Sequence, residues 1–105
     1  MTVARAAAVA QVQIDNPRVL VTEWRFAPAA QTGHHVHGHD YVVVPLTTGR
    51  LRLEEPEGVR EVELHAGVSY ARPAGVAHNV INANGFRVQF HRDRTALRSA
   101  RRRTC

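Results

Sequence analysis

The chain has 105 residues, 44% of them hydrophobic and 22% charged, which suits one domain with one modest core and excludes a disordered chain. Its formal charge of +5 is unevenly placed: residues 1–90 carry eight Arg against eight acids, and residues 91–105 carry six Arg against one Asp. The body is therefore neutral and is not expected to bind nucleic acid. No apolar run approaches the ~20 residues of a membrane span, so no membrane partner is expected.

From the start, residues 1–17 read as an N-terminal arm; they are small and apolar but lack the long hydrophobic centre of a signal peptide. Residues 18–26 (RVLVTEWRF) are β-branched and aromatic and predict a strand. Residues 41–46 (YVVVPL) are nearly all apolar and predict a strand buried on both sides, with Pro45 marking a bend or an edge. Residues 50–55 and 59–64 alternate apolar with polar, and the turn between them makes a hairpin. Residues 68–72, 78–82 and 86–90 complete about seven short strands, with Phe86, Val88 and Phe90 expected to face inward. Such spacing predicts an all-β sandwich or barrel, whose interior holds side chains or one small ligand. The only cysteine, Cys105, has no internal disulfide partner, as expected of a cytoplasmic protein.

Four of the seven histidines, His34, His35, His37 and His39, fall within six residues. On an extended strand alternate side chains share a face, so His35, His37 and His39 are expected to point the same way. Two such imidazoles side by side can take one metal ion. Further on, Gly67, Pro73, Gly75, His78 and Asn82 stand in the spacing G-x5-P-x-G-x2-H-x3-N, a tight turn that launches a strand with a histidine near its start.

These five positions resemble the second motif of the cupin superfamily, and His35, His37 and Gly49 match part of its first, G-x5-H-x-H-x3-4-E-x6-G. The resemblance covers roughly residues 18–90 and implies an all-β double-stranded β-helix, a jelly-roll barrel. It implies that His35, His37 and His78 converge on one divalent metal ion. The cupin glutamate would stand at position 42, seven residues before Gly49, where this chain has Val42. His39 is the candidate for a fourth ligand, and a glutamate introduced at 42 is expected to complete the set. Three-histidine cupins that this pattern resembles include thiol dioxygenases, which use ferrous iron; among Fe, Mn, Ni and Zn, that favours Fe. With ordinary imidazole pKa values near 6.5, such an ion would leave just below neutrality. The stretch TGHHVHGHDYVVVPLTTGRL is also similar to small single-domain cupins known as β-alanine degradation proteins, which implies a role in small-molecule catabolism.

Tyr41 is a candidate proton donor, against a packing role. Asp40 is a candidate to orient an imidazole, against closing a turn. Arg72, Arg87 and Gln89 are candidates to reach a substrate carboxylate, against the outward placement that is expected of them; His65 is expected to be exposed and His91 structural. After Phe90 the β pattern stops, and residues 91–105 read as a basic tail, disordered or out of frame. The codons of a Phe-Ile-Glu-Ile-Glu continuation, read from the third base, spell His-Arg-Asp-Arg, which is residues 91–94. The nucleotide sequence tests that reading. The expected function is a metal-dependent enzyme, an oxygenase or isomerase acting on a small β-alanine-related or other carboxylated substrate. The alternative is a non-catalytic ligand-binding or sensing cupin. A homodimer is the expected assembly.

Overall fold

A computed structural model describes residues 5–95 of the chain. Nine strands follow one another: β1 (Val9–Asp15), β2 (Val19–Phe26), β3 (His35–Val36), β4 (Tyr41–Pro45), β5 (Gly49–Glu55), β6 (Gly58–Leu64), β7 (Tyr70–Arg72), β8 (Ala77–Asn82) and β9 (Val88–Thr95). They form two antiparallel sheets, ordered β1-β2-β9-β4-β7 and β3-β8-β5-β6. This is the all-β jelly roll expected from the sequence. No helix among the described residues is long and apolar enough to cross a membrane.

The core lies between the sheets. Phe26, Leu64 and Val88 are fully buried there, with Tyr41, Val43, Leu51, Leu53, Val80 and Phe90 around them. Alternation explains the choice: on β4 and β5 every second residue turns inward. The β5–β6 hairpin closes through Pro56 and Glu57, with Glu55 facing Gly58. Gly58 has φ +135, a conformation that a side chain would resist.

Four expectations about the strands are corrected. β4 is buried on one face, not two, because Val42 points out and is 38% exposed. Phe86 does not face the interior; it sits in a bend before β9 and is 50% exposed. Residues 9–15, read as part of an arm, form β1 on the edge of the larger sheet, pairing with β2. And the β pattern does not stop at Phe90: His91, Arg92, Asp93 and Arg94 pair with β2 on one side and β4 on the other. The ladder bonds are made by the backbone, so polar side chains do not end a strand held on both edges. The remainder of the basic tail, residues 96–105, lies outside the described residues.

The last asparagine of the second motif is a structural staple. Asn82 is 2% exposed. Its amide donates to the carbonyls of Phe26, Ala27 and Phe86, and its oxygen accepts from Asn84. Asn84 in turn lies over Gly49, where a Cβ would stand 3.0 Å from its side chain. The first motif's opening glycine falls at position 29, six residues before His35. Ala29 stands there with φ +66, a left-handed backbone that an L side chain strains.

Candidate metal centre

His35 and His78 face each other as a cross-strand pair between β3 and β8. His37 follows β3, and its backbone is clamped from both directions. Its N–H donates to the Val76 carbonyl (2.9 Å), and its carbonyl accepts from the Gly75 N–H (2.7 Å). Gly75 has φ +95, so the motif glycine permits the turn that makes this clamp. The two motifs, 41 residues apart between His37 and His78, thus meet through backbone as well as side chains.

His37 Nε2 lies 3.0 Å from His35 Nε2 and 3.2 Å from His78 Nε2. Metal–imidazole bonds of about 2.0–2.1 Å at angles near 90–110° separate neighbouring nitrogens by about 2.9–3.4 Å. The observed separations fall in that range. The three ring atoms lie within 4.8 Å of one another and could hold a metal ion. His35 Nδ1 sits 2.9 Å from the Gly33 carbonyl, which can only accept. The proton is therefore on Nδ1, and His35 presents a bare Nε2 lone pair to the cluster. One proton on His37 could bridge to only one of its two neighbours. A cation satisfies all three, so the donor set fits a divalent ion.

Burial sets the charge of the cluster. It pushes His37 down to about 3, helped by the positive charge of Arg92, and His78 down to about 4; His35 is lowered as well. All three imidazoles are neutral at physiological pH, the form that binds metal. The ordinary value near 6.5 assumed from the sequence is corrected, and with it the expected release just below neutrality.

His39 does not join the cluster. The chain bends at Gly38 and His39, which breaks the alternation, and the His39 ring lies 3.1 Å from an Arg94 nitrogen instead. Asp40 closes a turn, accepting from the Ala74 N–H at 2.9 Å. Val42 points away from the cluster, so the expected repair by glutamate at 42 is corrected too. The inward neighbour is Tyr41, 5% exposed and stacked on His37 with ring centroids 3.9 Å apart. His65 is exposed and faces Glu63, and His91 lies beside Glu23 on the outer face.

The cluster opens into an inner chamber of about 40 Å³, room for roughly three waters. Arg72, expected outside, lines this chamber together with Tyr41, Tyr70 and Arg92. A wider mouth of about 440 Å³ shares Trp24, Thr32 and Arg92 with it and adds His39 and Arg94. Sequence reasoning missed Arg92 because the strand seemed to end before it. It also missed Asn79. Buried at 8% exposure, Asn79 accepts from the Gly33 N–H and donates to Gln31 and Glu54, fixing the loop that carries His35.

The chain is 64% identical over 86 residues to a curated β-alanine degradation protein, BauB of Pseudomonas aeruginosa, covering 82% of this chain and 90% of that protein. A cupin domain from Bordetella pertussis, solved by crystallography, is 53% identical with a TM-score of 0.88, covering 90% of this chain and 98% of that one. The polyketide cyclase RemF of Streptomyces resistomycificus shares the fold alone, at 22% identity and a TM-score of 0.69 over 92% of this chain and 72% of its own. No protein-family model matches the chain.

Proposed function

The chain belongs to the cupin superfamily as a small single-domain member, and on that premise we propose that it is a metal-dependent enzyme of small-molecule catabolism in the cytoplasm. One divalent ion, preferably iron, is held by His35, His37 and His78, and the reaction is an oxygenation or isomerisation of a β-alanine-related carboxylated metabolite. The observation that carries this reading is the convergence of three Nε2 atoms at 3.0 and 3.2 Å in a chamber open to solvent. The name of the P. aeruginosa relative supports the substrate class.

A divalent ion bound there supplies Lewis acidity toward a substrate oxygen and, if it is iron, access to O₂ chemistry. The chain's own residues do the rest. His35 is oriented by the Gly33 carbonyl. Tyr41 lies against His37 at the chamber wall, its phenol kept protonated because burial raises its pKa. It is thereby placed to donate a proton within the chamber. Trp24 and Phe90 give the chamber wall apolar surface.

The test is elemental analysis of the protein purified without added metal, followed by oxygen uptake with three-carbon carboxylates. About one equivalent of iron with turnover supports an oxygenase. Bound metal with no turnover of any carboxylate favours the sensing cupin. A protein that takes up no divalent metal overturns the reading.

We also propose a homodimer, assembled through β1. All seven of its residues are exposed, Val9, Val12 and Ile14 at 56%, 57% and 47%. An uncovered apolar edge strand is a ready site for pairing with a second copy. Light scattering decides it: a mass near 12 kDa, one chain, sinks the proposal.

A further inference from the structure

The inward face of the larger sheet carries an unusual pair of rows. In the β9-β4-β7 register, Arg94, Tyr41 and Arg72 stand side by side, and Arg92, Val43 and Tyr70 form the next row. Residues directly opposed on neighbouring strands share a face. Inward positions normally carry apolar side chains, as Val88 and Phe90 do further along β9. Guanidinium groups in such places are costly unless paired.

Among the described residues none of these arginines makes an ion pair with an acid: the arginine ion pairs engage Arg5, Arg25, Arg50, Arg52 and Arg60, and none reaches Arg72, Arg92 or Arg94. No Asp or Glu lines either the inner chamber or the mouth. Glu55 feels the charges of Arg72 and His78, but both of its oxygens are taken by Arg60, at 2.7 and 3.1 Å. Arg92 stands over the face of Trp24, 5.4 Å from the ring centroid. Burial lowers the Arg92 pKa without bringing it near neutrality as a matter of guanidinium chemistry, so the charge stays.

The histidine donor set adds no negative charge of its own. A divalent ion bound to it would leave the chamber more positive still. An ammonium group meets no carboxylate among the lining residues, whereas a carboxylate meets two forked donors.

We propose that the site selects small carboxylates that lack an ammonium group, with Arg72 and Arg92 holding the carboxylate beside the histidine cluster. The inference deepens the metal-enzyme reading above and rests on it for the reaction, but not for the binding. It places the protein's substrate after the step that removes the amino group from a β-amino acid, since the zwitterion would carry its cation among guanidiniums.

The probes are propionate, propionamide and β-alanine, three carbons each, titrated calorimetrically into metal-free and zinc-loaded protein. Propionate is expected to bind at least about tenfold more tightly than either of the others. Arg72→Gln and Arg92→Gln should each weaken propionate by about tenfold, with metal content by elemental analysis unchanged and Arg87→Gln, exposed and lining neither the chamber nor the mouth, without effect. The comparison of the three probes on the unaltered chain needs no variant to fold. β-Alanine binding as well as propionate, or propionate indifferent to both substitutions, overturns the proposal. Arginine-dependent propionate binding in a protein that never loads metal leaves it standing while the metal reading falls. Metal loading without the preference for propionate has the reverse meaning.

Discussion

Acidifying the metal-free protein should destabilise it through the cluster itself. His37 is held at about 3 and His78 at about 4 in the folded chain, against about 6.5 in an unfolded one. Between these limits the unfolded chain binds protons that the folded chain refuses. Stability is therefore full above pH ~6.5 and declines as the pH falls toward 4. At pH 5 an unfolded imidazole gains about 2 kcal/mol from protonation relative to pH 8, while the folded groups gain almost nothing. Two such groups together remove about 4 kcal/mol, a large share of the ~5–15 kcal/mol that holds a domain of this kind together. His35 is shifted in the same direction and adds to the loss. Urea unfolding of chelator-treated protein at pH 8, 6.5 and 5 measures this directly, beside the double variant His37→Gln, His78→Gln. The variant should lose less than half as much. An equal pH dependence in both proteins would refute the reasoning, because the titrating groups would then lie elsewhere.

Further outcomes follow from the same geometry. Substituting His35, His37 or His78 by Ala should strip most of the metal in elemental analysis, whereas His65→Ala and His91→Ala, on the outer surface, should leave it in place. Val42→Glu should leave metal retention during dialysis from pH 8 to pH 5 unchanged, since that side chain faces solvent. Tyr41→Glu puts a carboxylate against His37 and should move metal release to lower pH when the dialysis is carried on to pH ~3. Ala29→Gly should raise stability by about 0.5–1 kcal/mol in urea, because relief of the left-handed strain outweighs the added freedom of the unfolded chain. A destabilised Ala29→Gly protein would mean that its φ of +66 costs little.

The barrel and the three ligands were legible in the sequence because both signals are local. H-x-H on a short extended segment and P-x-G-x2-H at a turn fix direction within a few residues, and the β8 register then sets His78 opposite His35. What failed depended on continuity over longer stretches. His39 was placed by extending an alternation that Gly38 breaks. Position 42 was counted from Gly49, although the other spacing that the motif allows falls on Tyr41, the residue that turns inward. Arg72 is assigned outward by binary patterning, which sends charge to the surface and which this position violates, as residues at binding sites do, while Arg92 lies beyond Phe90, where the apolar pattern ends. The β1 strand escaped because it buries nothing, so its sequence carries little of the apolar contrast that reveals a strand.

The place of β9 has a consequence for synthesis on the ribosome. It is the last strand of the described residues, yet it lies in the middle of its sheet, between β2 and β4. Until it emerges, β2 and β4 have no bridge between them, and each presents an unsatisfied edge in a nascent chain whose three clustered histidines all precede it. From Phe26 to Val88, translation at ~5–20 residues per second takes roughly 3–12 s. During that interval the half-built sheet resembles two sticky ribbons more than a barrel, and crowded polysomes bring such ribbons together. Slow codons or a waiting chaperone would matter most in that window. A ribosome stalled before the Arg92 codon would release a chain that has every metal ligand and no closed wall to hold them.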